Sequence, residues 1–199
     1  MGDFGCLTNK FREKCFSRSN KKQDMKDNNE AKRKRVESFL KENYKGEFII
    51  SETPNEEGRY EVSSSGYVCM VRLSENLTTE DFVFTEVSYF SCSRNERLLS
   101  LEGSPRKANV FNCDGCTSLQ TLEGAPQEVE IFDCYYCNSL RTLKGAPERV
   151  GRFDCSDCKS LKSLKYAPKK MKNFICQNCP SLKSLNINLK DIERYTISL

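Results

Sequence analysis

Four Cys-x-x-Cys pairs are the residues of this sequence best suited to chemistry: Cys113/Cys116, Cys134/Cys137, Cys155/Cys158 and Cys176/Cys179. Two neighbouring pairs match a four-cysteine zinc spacing, and four thiolates suit tetrahedral zinc. A second set of reactive groups is acidic. Asp114, Asp133 and Asp154 lie in the same region, and paired carboxylates can act as acid and base. The chain has no histidine, so it lacks the commonest general base and the commonest metal ligand. The carboxylates come with no glycine-rich phosphate loop and no nucleophile motif. The expectation is a chain without enzymatic activity.

The cysteines belong to a repeat. Phenylalanine falls at 90, 111, 132, 153 and 174, and cysteine follows at 92, 113, 134, 155 and 176. A second cysteine stands at 116, 137, 158 and 179, with Asn95 in that slot in the first copy. Leucine recurs at 98, 119, 140, 161 and 182, then at 101, 122, 143, 164 and 185, and proline closes four copies. A fixed period of 21 residues marks a solenoid whose units bury their apolar faces against one another. The repeat also gives the zinc spacing a second origin, because any two adjacent copies reproduce it. The first reading is therefore a structural ladder that needs no cofactor, built from Phe90, Cys92, Phe111, Cys113, Cys116, Phe132, Cys134, Cys137, Phe153, Cys155, Cys158, Phe174, Cys176 and Cys179. Its thiols are reduced and buried, as free cysteine prefers. The alternatives are zinc on the eight paired cysteines, or disulfides.

Phe-x-Cys has period two, so both side chains point to one face of a strand. Stacked units would pair these strands in parallel, about 4.8 Å apart. Gly-Ala-Pro then forces a tight turn that leaves no room for a long helix. One unit reads apolar-x-x-Phe-x-Cys-x-x-Cys-x-x-Leu-x-x-Leu-x-Gly-Ala-Pro. This resembles the leucine-rich repeat, with Phe132 and Cys134 at leucine positions and Cys137 at its Asn/Cys position. The short unit is most similar to the repeats of bacterial effectors and related bacteriophage proteins. The resemblance implies a β-dominated solenoid with parallel strands on a concave face and a convex side of turns and short 3₁₀ segments. It also implies a non-enzymatic, protein-binding role against a cytosolic protein.

Residues flanking the inward positions would then form columns on the concave face. The candidate binding residues are Tyr89, Val110, Ile131 and Arg152 in one column, Asn112, Asp133, Asp154 and Ile175 in the next, and Asp114 and Tyr135 in a third. Aromatic side chains with a few charges suit a protein-binding patch.

Three regions follow. Residues 1–29 read as a basic leader in which Phe4, Leu7, Phe11 and Cys15 form a thin apolar stripe, and 17–30 read as a solvated linker or the start of a longer helix. Residues 30–66 read as a cap: a helix over about 30–45 stopped by Gly46, then a hairpin. The solenoid occupies 67–199, with a degenerate unit over 67–86, clear units over 87–191 and a last strand near 194–198. Subtracting 21 from the repeat positions maps Phe90 onto Cys69, Cys92 onto Val71 and Leu98 onto Leu77.

Residues 1–46 carry 13 Lys/Arg against 7 Asp/Glu, and the remainder 19 against 21. The basic excess is thus assigned to the leader. Lys32-Arg33-Lys34-Arg35 offers an alternative function, contact with nucleic acid or a membrane surface. There is no signal-peptide core and no apolar run near the ~20 residues that span a bilayer, so a cytoplasmic location is expected.

Overall fold

The computed structural model describes residues 6–183, 185, 187, 190 and 192–198, with side chains described at 21 and from 23 onward. The chain is a parallel β-solenoid entered through a long helix. Helix α1 spans Cys6–Asn43. Strands β1 (Tyr44–Lys45) and β2 (Ile49–Ile50) precede β3 (Tyr60–Met70), and β4 is Phe82–Ser91. The repeats supply β5 (Lys107–Asn112), β6 (Glu128–Asp133), β7 (Arg149–Asp154), β8 (Lys170–Cys176) and β9 (Ile192–Ile197). From β3 to β9 each strand pairs in parallel with the next, in one sheet.

The core is a set of columns. Phe90, Phe111, Phe132, Phe153 and Phe174 are fully buried, and their rings stack with centroids 5.5, 5.3, 5.4 and 6.2 Å apart. The cysteine and leucine columns beside them are buried too. Each such Phe or Leu contributes roughly 1.5–3 kcal/mol. The register from β4 to β9 pairs each ladder phenylalanine with the next and ends with Phe174 beside Tyr195 and Cys176 beside Ile197. The last strand falls where the period places it.

Each repeat strand carries a kink. The pairing runs through Ala108↔Val129 and Val110↔Ile131 but skips Asn109 and Glu130. Two consecutive residues therefore turn outward, and the next inward positions stand three apart, at Ala108 and Phe111. This explains the apolar residue three before each Phe, which strict alternation would have put outside.

The far side consists of turns closed by bonds such as Leu140 N–H to the Cys137 carbonyl and Ala146 N–H to the Leu143 carbonyl, both 2.9 Å. No 3₁₀ helix occurs there among the described residues, which corrects the expected short 3₁₀ segments. At Gly145 the backbone has φ +91°, and a Cβ would lie 2.4 Å from the Glu123 nitrogen of the unit below. Glycine is needed for this close stacking as well as for the turn.

The entrance departs from the expected reading in three ways. First, the helix spans Cys6–Asn43 and does not start near residue 30, so of the two readings of 17–30 the longer helix is the one the structure has. That stretch lacks an apolar stripe, but it also lacks proline and glycine and contains Lys, Gln, Met and Glu, which favour helix. The stripe of Phe4, Leu7, Phe11 and Cys15 lies outside the described side chains.

Second, α1 ends at Asn43, before Gly46. Gly46 serves a close crossing instead, where a Cβ would meet the Tyr67 carbonyl oxygen at 2.6 Å.

Third, the offset between β3 and β4 is 22, not 21: Tyr67 pairs with Tyr89 and Val68 with Phe90. The offset is already 22 at Tyr60↔Phe82, ahead of the irregularities in β3, so the extra residue lies in the connection between β3 and β4. Val68 and Met70 therefore point into the core, while Tyr67 and Val71 are exposed. A one-residue slip exchanges the two faces of a strand. Leu77 is buried as the mapping required.

The edge of β3 is covered by antiparallel β1 and by the β2–β3 hairpin. Val36 and Leu40 of α1 enter the same core, Phe39 packs on Phe82 at 5.6 Å, and the Tyr44 hydroxyl donates to the Leu77 carbonyl at 2.6 Å. Among the described residues no helix is long and apolar enough to cross a membrane.

Candidate binding face

The sheet register aligns the candidate residues. Tyr89, Val110, Ile131 and Arg152 are successive partners, and so are Asn112, Asp133, Asp154 and Ile175. All eight are half-buried on the open side of the sheet. Asp114 is buried and Tyr135 is exposed in the following column. Tyr67 joins the first column through the shifted register and stacks on Tyr89 with centroids 4.6 Å apart. The result is a continuous row of Tyr67, Tyr89, Val110 and Ile131 that leads into charge.

That charge is organised by Arg152. Its guanidinium donates to Asp133 at 2.7 Å and to Asp154 at 2.9 Å. Burial raises the Asp133 carboxyl above its usual range, Arg152 opposes this, and Asp154 and Asp114 add to it. Side chains of the second column also shape the turn that follows. Asn112 accepts from the Asp114 backbone N–H at 2.8 Å, and Asp154 accepts from Ser156 at 3.0 Å.

Asp133 and Asp154 thus form a bridged triad with one cation. Its Arg152–Asp133 bond links strands β7 and β6.

The column after Tyr135 is missing from the sequence reading. Arg94, Gly115, Tyr136, Asp157 and Asn178 occupy equivalent turn positions, and all have φ between 54° and 67°. Gly, Asp and Asn there are the residue types that tolerate this conformation, and that composition was the available signal. Tyr135 and Tyr136 meet edge to face at 6.3 Å and, with Arg94, Glu96, Asp114 and Thr117, line a cavity of about 380 Å³. A broader groove of about 1490 Å³ runs across the starts of β5–β8, floored by Val129, Val150 and Met171 and edged by charges of both signs.

The cysteine ladder is internal. The second cysteine of each pair donates to the unit below: Cys116 to the Cys92 carbonyl at 3.2 Å, Cys137 to Cys113 at 3.2 Å, Cys158 to Cys134 at 3.3 Å and Cys179 to Cys155 at 3.4 Å. Asn95 makes the equivalent downward bond to the Ser74 carbonyl at 2.8 Å. The first cysteine of a pair reaches the unit above, as Cys134 does to the Asp154 carbonyl at 3.3 Å. Burial pushes the Cys113, Cys134 and Cys158 thiols well above their usual value. The ten cysteines with described side chains are all unbridged. Among the described residues no three of His, Cys, Asp and Glu gather into a set that would hold a metal.

The basic run of the helix is engaged within the chain. Lys32 and Arg35 both bind Asp81, at 3.4 and 3.0 Å, Arg33 pairs with Glu37 and Lys34 with Glu30.

No known protein family, curated protein or solved structure matches the chain.

Proposed function

We propose that this solenoid is a non-enzymatic binding module that engages a protein through the open face of its sheet. The supporting observation is the uninterrupted row of Tyr67, Tyr89, Val110 and Ile131, which no other element overlies among the described residues. α1 packs against β1 and β3. Aromatic and branched apolar side chains beside a few placed charges are the composition of an interface centre. The thiol ladder, in this reading, is a reduced structural spine that binds no metal. A bacterial or phage effector acting on a cytosolic host protein is the setting the repeat resemblance suggests, and that part rests on the resemblance alone.

The test is affinity capture from the cells that make the protein, comparing wild type with Ile131→Asp and with Lys32→Ala/Arg35→Ala. A partner held by wild type and by the helix variant, but lost with Ile131→Asp, supports the face. A captured set unchanged by Ile131→Asp, or lost with the helix variant, refutes it.

A further inference from the structure

We infer that the cavity between Asp114, Tyr135 and Tyr136 is a cation site that takes a lysine or arginine side chain of a protein partner. Asp114 is only 8% exposed. Its backbone is satisfied, with the N–H donating to Asn112 and the carbonyl accepting from Arg94 at 2.7 Å. Its carboxylate receives no hydrogen bond and no ion pair from any described residue. The neighbouring Asp133 and Asp154 share Arg152, so the contrast lies within one face. The carboxylate lines the cavity and stays open to it, so an incoming cation can pair with it without displacing a protein donor.

The rest of the cavity agrees. Two half-exposed tyrosines and Gly115 line the cavity together with Asp114. Aromatic faces attract ammonium and guanidinium groups, and Tyr136 already has the Lys159 ammonium 5.9 Å from its ring centre. Glu96 adds a second carboxylate. The volume of about 380 Å³ accommodates a long basic side chain.

Tyr136 also sits at φ 62°, where a bulky aromatic is rarely found and where Asn178 and Gly115 serve in sibling units. Strain of this kind is concentrated at binding sites. Arg94 is the one cation in the lining, and it makes no ion pair among the described residues. It must compete with an incoming cation for the carboxylate.

That the cation belongs to a protein rests on the binding-face reading; the preference for a cation does not. The test is an NMR titration of the intact protein with methylguanidinium, against sodium acetate and against sodium chloride at equal ionic strength. Saturable shifts are expected at Asp114, Gly115, Tyr135 and Tyr136 with methylguanidinium alone. Asp114→Asn should weaken binding about tenfold, as loss of a charge-assisted contact does. Arg94→Ala should tighten it. Tyr136→Asn should weaken binding while leaving the thermal midpoint unchanged or higher, because asparagine suits the backbone there.

Shifts that never saturate, equal binding of acetate, or an unaffected Asp114→Asn protein overturn the site. If methylguanidinium binds as described but no partner depends on Ile131, the cation site stands and the protein-binding reading falls. Partner capture through Ile131 without cation binding gives the reverse.

Discussion

Each second cysteine donates its S–H to a carbonyl 24 residues earlier, a contact that supports the metal-free ladder we propose over zinc at the same spacing. Zinc takes the thiolate, whereas a hydrogen-bond donor must keep its proton. Burial raises the Cys113, Cys134 and Cys158 thiols above their usual 9.0, which favours the donor. Native protein treated with iodoacetamide at pH 8 should therefore leave these cysteines unmodified, with or without a chelator. Unfolding should release them all. A chelator that exposes them in the native state would instead establish metal.

The same shift has a consequence at high pH. The unfolded thiols ionise near 9.0 while the folded ones stay protonated. Their contribution is complete below pH 9 and is lost as pH rises above it, at up to ~1.4 kcal/mol per pH unit for each thiol. Denaturation midpoints should fall above pH 9, and less steeply in Cys134→Ala than in wild type.

At the level of elements, the strands and their order were legible because one period carries Phe, Cys and Leu together. The register of β3 was not. The entry strand has no Phe, its Cys69 stands beside the ladder position and not on it, and the connection from β3 to β4 is one residue longer than the repeat allows, which no periodic subtraction can see. That moved Tyr67 onto the open face and Val68 into the core, and the tyrosine stack with it. The length of α1 was harder to read for a different reason, since residues 17–30 carry no apolar stripe to join the leader to the helix.

What holds the helix is its last part. Leu40 is buried in the solenoid core, whereas Met25 is 67% exposed. Leu40→Ala should cost about 2–5 kcal/mol, and Met25→Ala less than about 0.5 kcal/mol. Units of a solenoid contact only their neighbours, so the damage should be local. Hydrogen exchange in Leu40→Ala should show β3 and β4 losing protection well before β6. Equal loss across all strands would show that the cap stabilises the stack as one body.

The whole molecule is electrically lopsided in a way that totals conceal. Outside the first 46 residues the acids and bases nearly balance, which assigned the basic character to the helix. Split at the sheet's middle, residues 47–148 carry 8 Lys/Arg against 17 Asp/Glu, and residues 149–190 carry 10 against 2. The basic run of the helix is matched by Asp81, Glu37 and Glu30.

In the later units Arg152 is matched by Asp133 and Asp154 and Lys169 by Glu148, but one exposed basic column has no such acid beside it among the described residues. Arg141, Lys162 and Lys183 are exposed and occupy one column, their backbones linked by bonds of 3.2 Å from Lys162 N–H to the Arg141 carbonyl and 3.3 Å from Lys183 N–H to the Lys162 carbonyl. Stacked at solenoid spacing, about 4.8 Å, successive members lie within one Debye length of about 8 Å at physiological salt. Their fields therefore add. The protein should be retained on heparin at low salt and elute as salt rises. Arg141→Gln/Lys162→Gln/Lys183→Gln should shift elution to markedly lower salt, and Lys32→Gln/Arg35→Gln should barely move it. The opposite ranking would return the basic function to the helix and show that its ion pairs open in solution.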